Sequence, residues 1–409
     1  MRISTLNLYN TSTNQLNNLQ SALARTQMQL STDRRLLTPA DDPVASARAL
    51  EVTQSQNINA QFATNRSSAK SSMGFVESAL QNASNLLQEI QELAVEAGNG
   101  IMQPGDREKL ATELEGRLAD LLGVANTADG AGGYLFSGYM TTTKPFSATP
   151  GGAVYLGDSG VRQLQVSESR KVPLSASGTA VFESIPTGNG VFQTKADAGN
   201  TGAGIISSGS VTNRPALDNT RYEIEIGMSA DTPPVPTYTV YNTSNDPRTV
   251  VPDQQDLPYK DGQQISFGGM SMEIKGVPAA GDRFSVEPSQ KQSVFTTVTD
   301  LIKTLRLPGD GATGKAALTN QLNTAIDNLK NAHDNVLTVQ ASVGAHMNEL
   351  DYLDSAGSDL DIQYATTLDD LQGLDTVKAI SDFSRQQLTL QAAQMSFKTM
   401  SGMSLFNIL

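Results

Sequence analysis

Apolar positions near both ends of the chain recur at helical spacing. Tyr9, Leu16, Leu23 and Leu30 stand seven apart, with Leu19 and Thr26 between them, which predicts a helix with a single seam. Phe62, Ala69, Met73, Val76, Leu80, Ala83, Leu87, Ile90 and Ala94 predict a longer amphipathic helix that stops near Gly98 and Gly100. Leu318, Leu322, Ile326, Leu329, Val336, Val343, Met347 and Leu350 form a matching stripe on the C-terminal side, so two long arms can pack together. The last segment carries two apolar edges. Ala379, Phe383, Gln386, Leu390, Ala393, Phe397 and Met400 form one, and Val377, Ile380, Leu388 and Met395 form the other. One partner helix covers only one of these edges, which predicts burial among several neighbours.

The middle of the chain has a different period. Tyr222-Glu223-Ile224-Glu225-Ile226, Tyr238-Thr239-Val240-Tyr241 and Arg283-Phe284-Ser285-Val286 alternate as strands do, and Gly151-Gly152 and Gly268-Gly269 read as hairpin turns. Proline makes the same division: 13 of the 17 prolines lie between 141 and 290, and none lies in 44–103 or 309–409. Because proline costs about 3 kcal/mol inside a helix, the outer segments can be long helices and the middle cannot. About 55 residues from Val44 would run roughly 80 Å as one helix. The expectation is an α+β chain, mainly α, laid out as helix, β insertion, helix.

Composition narrows the chemistry. The net charge is −13, with 29 Lys+Arg against 42 Asp+Glu and no basic run, which speaks against a nucleic-acid partner. The absence of cysteine excludes disulfides, thiolate zinc sites and cysteine nucleophiles. The first ten residues lack the apolar core of a secretory signal, and no run reaches the roughly 18 apolar residues of a membrane span, so export without a cleaved signal and no membrane insertion are expected. Gly309-Asp310-Gly311-Ala312-Thr313-Gly314-Lys315-Ala316 has nucleotide-loop spacing. However, Ala316 stands where magnesium needs a hydroxyl, and the helical run Val294, Val298, Leu301 and Leu305 precedes it instead of a strand, so a loop between helices is expected. His333 and His346, thirteen apart, are too distant to share a metal and read as helix-surface residues. Asp351, Asp354, Asp359, Asp361, Asp369 and Asp370 miss calcium-loop spacing and read as a solvated face. Asp41-Asp42-Pro43 reads as a helix start. No nucleophile, base and orienting acid can be assembled, so no catalytic residue, metal or cofactor is assigned.

The string Leu30-Ser31-Thr32-Asp33-Arg34-Arg35-Leu36-Leu37-Thr38-Pro39-Ala40-Asp41-Asp42-Pro43-Val44 closely resembles the flagellar hook-associated protein 3 family, the flagellin-related hook-filament junction proteins. Further matches to that family are Met1-Arg2-Ile3-Ser4-Thr5, Glu92 to Gly100, Gly133-Tyr134-Leu135-Phe136-Ser137-Gly138, Ala379 to Phe383, and Ser404 to Asn407. The resemblance covers both arms and little of the middle third. Two positions depart from the family pattern. Asp33 stands where glycine is common, and a left-handed turn is less favoured there; His346 stands where arginine is common and lacks its permanent charge.

The resemblance implies a flagellin-like fold with long helical coiled-coil arms and a β-rich inserted outer domain. It implies five segments: an inner helix at 1–43 pairing with 366–409, a rod at 44–140 pairing with 291–365, and the outer domain at 141–290. It also implies assembly as a ring on the flagellar axis, between hook-associated protein 1 on the hook side and flagellin on the filament side, with an export chaperone on the C-terminal helix beforehand. The residues expected at the subunit interface are Leu16, Leu19, Leu23, Leu30, Phe383, Leu390, Phe397, Met400 and Phe406; an intramolecular two-helix core is the alternative for them. A filament-forming flagellin and a cytoplasmic coiled-coil scaffold are the competing functional readings.

Overall fold

The computed structural model describes residues 5–99 and 102–402. The long helices are α1 (Thr5–Thr32), α2 (Pro43–Ala97), α3 (Pro104–Ala125), α4 (Val294–Leu305), α5 (Gly311–Gln372) and α6 (Thr376–Gly402), and the strands lie between Phe146 and Gln292. The chain divides into two compact units, Met1–Arg66 with Asp351–Leu409, and Ser67–Leu350; α2 and α5 contribute to both.

α2 begins as its sequence dictates. Pro43 is its first residue, and the Asp42 carboxylate accepts the Ala45 N–H at 3.0 Å. In the second unit the predicted stripe is the buried face: Ala69, Met73, Val76, Leu80, Ala83, Leu87, Ile90 and Ala94 are all buried, as are Leu322, Leu329, Val336, Val343 and Leu350 of α5. α3 packs on α4, and Phe146, from the hairpin of Phe146–Thr149 with Gly152–Tyr155, joins Phe136, Phe182 and Phe295 in an aromatic cluster with ring centroids 5.0 to 5.8 Å apart.

The two largest sheets of the β-rich region, both antiparallel, share one core, and three two-stranded sheets lie outside them. In the first, Thr249–Val250, Pro236–Asn242, Tyr222–Met228, Arg283–Pro288 and Phe192–Ala196 lie side by side; in the second, Met270–Lys275 pairs with Gln263–Phe267 and Ile205–Ile206. Tyr222, Ile224 and Ile226 face the core with Phe284, Val286, Ile265, Met272 and Ile274, as period-two alternation requires. The intervening Glu223 and Glu225 point the other way and hold Arg248 at 2.5 and 2.6 Å. Gly268 and Gly269 both take positive φ in the tight turn between Gln263–Phe267 and Met270–Lys275.

This region is fastened to α5 by a row of asparagines. Asn320 accepts the Ile206 N–H and donates to the Gly204 carbonyl, both at 2.9 Å, and Asn328 accepts the Gly188 N–H at 2.8 Å. Asn331 donates to the Pro186 and Gly188 carbonyls, and Asn335 to those of Ala180 and Val181. Their spacing of eight, three and four keeps them on one helix face. The Ser208 hydroxyl donates to the Asp327 carboxylate on the same face, and burial there pushes the Asp327 carboxyl above its ordinary range.

One expectation is corrected. His333 is not a plain surface residue: it is half-buried, with its Nε2 2.8 Å from the Ser84 hydroxyl. Asp354 is exposed, as a solvated face requires, and also takes the Arg66 guanidinium at 3.0 Å; Arg66 is buried, and Gly357 lets it lie close against α5. The glycine-rich stretch at 309–316 follows a helix, as expected, but it is not all loop: 306–310 join α4 to α5, and 311–316 form the first turns of α5. No described helix is long and apolar enough to cross a membrane.

Candidate assembly interface

The first unit places the two chain ends side by side, beginning with how α1 stops. Asp33 takes φ +52°, and the Arg34 N–H reaches back to the Gln29 carbonyl at 3.2 Å. This is a Schellman closure with aspartate in the left-handed position that glycine usually fills. The turn disfavoured at Asp33 is therefore made, at some backbone cost, because the next two residues are strongly tied. The Arg35 N–H donates to the Gln372 carbonyl at 2.7 Å, Arg35 Nη2 to the Leu371 carbonyl at 2.9 Å, and Arg34 bridges to Gly373. Asp41 closes the loop from the other side. Its carboxylate accepts the Leu37 and Thr38 N–H groups at 3.0 Å and meets Arg25 at 2.6 Å. The Thr38 hydrogen bond, with that of Leu37 and the Arg25 charge, holds the Asp41 carboxyl below its ordinary range. The turn leaving α1 is thus clipped to the turn entering α6, which Asp375 caps through the Lys378 N–H at 2.9 Å.

From that clip α1 and α6 run antiparallel. The Thr26 hydroxyl lies 3.0 Å from Gln386 Oε1, and farther along the Tyr9 and Phe397 rings meet at 5.2 Å. A polar pair inside an apolar seam fixes register, since sliding either helix would strand both groups against hydrocarbon. Leu16, Leu19, Leu23 and Leu30 are half-buried along α1, and Phe383, Leu390 and Phe397 along α6. The structure therefore seats these residues first in a seam between the two ends of the same chain. Met400 is 42% exposed, outside that seam, and Phe406 lies outside the described residues.

The second edge of α6 is left uncovered. Val377 is 80% exposed, Ile380 57%, and Leu388 and Met395 70% each. These four lie on one apolar-rich face of the helix, because their steps of three, eight and seven return to the same side. His346 sits near Glu349 at 3.5 Å, and that carboxylate is held below its ordinary range chiefly by Arg170. No group of three or more metal-ligating side chains occurs among the described residues.

Paired terminal helices with a β-rich insertion between them in the chain define a flagellin-like structural protein. A family model described as the bacterial flagellin N-terminal helical region matches residues 3–141. Flagellar hook-associated protein 3 of Escherichia coli K12 is 28% identical over 409 residues, covering 100% of this chain and 99% of its own length. Solved hook-associated protein 3 of Legionella pneumophila is 34% identical with a TM-score of 0.74, covering 78% of this chain and 98% of that structure. FlgL of Xanthomonas campestris is 29% identical with a TM-score of 0.70, covering 78% and 99%. The chain belongs to the flagellar hook-associated protein 3 family.

Proposed function

We infer that this chain is a hook-filament junction subunit that assembles through its terminal helices and performs no catalysis. The observation that carries this reading is the uncovered edge of α6, with Val377, Ile380, Leu388 and Met395 exposed after α1 has taken the opposite edge. Burying such side chains against neighbouring copies contributes about 1.5–3 kcal/mol each, enough together to drive ordered association. The seam residues Leu16, Leu19, Leu23, Leu30, Phe383, Leu390 and Phe397 then hold α6 in the orientation that presents this edge, and Met400 and Phe406 are counted with the subunit interface. The subunit sits in a ring on the flagellar axis, with hook-associated protein 1 on one side and flagellin on the other. Its route there is flagellar export without a cleaved signal, with a chaperone covering α6 until release. The segment boundaries at 43, 140, 290 and 365 mark the inner helices, rod and outer domain of that subunit.

The test is electron microscopy of cells lacking the gene, with flagellin assayed in the medium. Hooks without filaments and soluble flagellin outside the cell are expected; filaments of normal length would sink the junction reading. A seeded purified chain that grows long filaments would point to a flagellin instead. Leu388→Asp with Met395→Asp localises the interface: the variant should fold as a monomer and fail to restore filaments, and full restoration would remove this edge from the assembly contact.

A further inference from the structure

The second unit carries a trough that assembly through the terminal helices does not use. It holds about 610 Å³ and is walled by the strand Phe192–Ala196, by α4 and by the amino-terminal part of α5. Strand alternation makes the first wall: Phe192 packs into the shared core, so Gln193 and Lys195 point the other way and line the trough. On α5, Gly314, Ala317, Gln321, Thr324 and Asn328 recur at steps of three and four along one helix face.

Two buried carboxamides of this lining are incompletely matched. Gln193 is 6% exposed, and its side chain has no hydrogen-bond partner among the described residues. Asn328 is 4% exposed; its Oδ1 accepts the Gly188 N–H at 2.8 Å, and its Nδ2 has no partner among them. Beside them Gln321 accepts the Thr304 hydroxyl through Oε1 at 2.9 Å, which leaves its Nε2 to face the trough. Buried polar groups are costly to leave unmatched, so these atoms mark where the polar atoms of a ligand would sit.

The rest of the lining decides the kind of ligand. Its lysines are already matched within the chain, since Lys303 meets Asp300 at 3.2 Å and Lys195 meets Glu287 at 3.8 Å, all at exposed positions, so no buried charge calls for an ion. Leu307, Leu318 and Ala325 give it an aliphatic surface, and no aromatic side chain among the described residues lines it, so a sugar ring has no platform for its C–H face. A peptide unit offers one N–H and one C=O, the pair that a carboxamide complements. The length of the trough fits as well. From Gly314 to Asn328, α5 runs about 21 Å at 1.5 Å per residue, the span of about six extended residues.

We propose that this trough binds an extended, uncharged peptide segment of a partner protein. Gln193, Gln321 and Asn328 bond to the backbone of that segment, and its apolar side chains rest on Leu307, Leu318 and Ala325.

The test is selection of a displayed random hexapeptide library on the full chain, followed by calorimetric titration of the enriched peptides, synthesised with blocked ends. Enrichment of uncharged sequences, with saturable binding at one site, is expected. Gln193→Leu nearly keeps the side-chain volume but removes the carboxamide, and should weaken binding by about tenfold. Ala317 is exposed on α5, so Ala317→Trp should fill the trough without disturbing the core, and abolish binding. No enrichment, enrichment of charged sequences, or equal affinity for both variants and the natural chain would overturn the proposal. Maltohexaose and chitohexaose, titrated in parallel, should give no saturable heat; binding of either that Ala317→Trp abolishes would assign the trough to glycans and overturn the peptide reading. Should Gln193→Leu fail to fold, Ala317→Trp decides: undiminished peptide affinity in that folded variant overturns the site, and its loss supports it.

Discussion

The paired chain ends and the β-rich insertion use apolar residues in opposite ways. In the insertion, Ile224, Val240, Ile274, Phe284 and Val286 have no exposure at all, and both sheets close on one core. In the α1–α6 pair the leucines and phenylalanines of the seam are only half-buried, and as many large apolar side chains lie outside the seam as a second edge can hold. The insertion satisfies its hydrophobic surface within the chain. The terminal pair does not, and two helices alone cannot, because each presents a curved surface of which its partner covers one stripe. A region that completes its core folds for itself; a region that leaves an edge open is poised for a neighbour.

The largest effect that would break this contrast is in the insertion core. Phe284→Ala should cost about 3–5 kcal/mol through lost transfer energy and a residual cavity, read by denaturant unfolding. A loss as small as that of an exposed substitution would mean the two sheets do not share one core. Next is the attachment to α5. Asn328→Ala strands the Gly188 N–H in a buried site and should cost about 1–3 kcal/mol, with faster amide exchange at Gly188 as the local readout. In the terminal pair, Asp33→Gly should stabilise by about 0.5–1 kcal/mol, because glycine takes the left-handed turn without a Cβ penalty. A thermal midpoint unchanged or lowered would show that the Asp33 turn carries no strain.

The smallest expected effect sharpens the contrast through pH. Burial raises the Asp327 carboxyl above its ordinary value of 3.8, so the folded chain holds that proton more tightly than the unfolded chain. The stabilisation is therefore full below 3.8 and is lost as pH rises through the folded value. Asp327→Asn should remove this contribution, so its unfolding free energy should vary less than that of the natural chain over the weakly acidic range. Parallel pH profiles for the two would exclude Asp327 as a source of pH dependence.

Much of the architecture was legible in the residue pattern. The stripe from Ala69 to Ala94 is buried residue by residue, Asp42 and Pro43 open α2, and the second edge of α6 is open to solvent. Each of these depends on spacing or on a local cap, which neighbouring residues decide. Less legible were contacts between residues far apart in the chain. Asn320, Asn328, Asn331 and Asn335 sit at steps of eight, three and four beside an apolar stripe, a signal present in the sequence, but only the segment 180–206 gives those amides their partners. Arg66 and Gly357 are likewise ordinary in sequence and become a pair only where α2 and α5 meet.

The open turn at Asp33 shows where the division falls. Local propensity argues against a left-handed aspartate, and it is overruled by the hydrogen bonds that Arg35 makes with Leu371 and Gln372, more than 300 residues away. By itself the sequence determined the periods, the caps, the placement of prolines and the excess of apolar edges, because all of these are properties of residues within a few turns of one another. Tertiary structure decided which edge of α6 is taken by α1 and which polar groups are satisfied. Those outcomes depend on which distant surfaces meet, and a linear pattern carries no record of that until the chain has closed on itself.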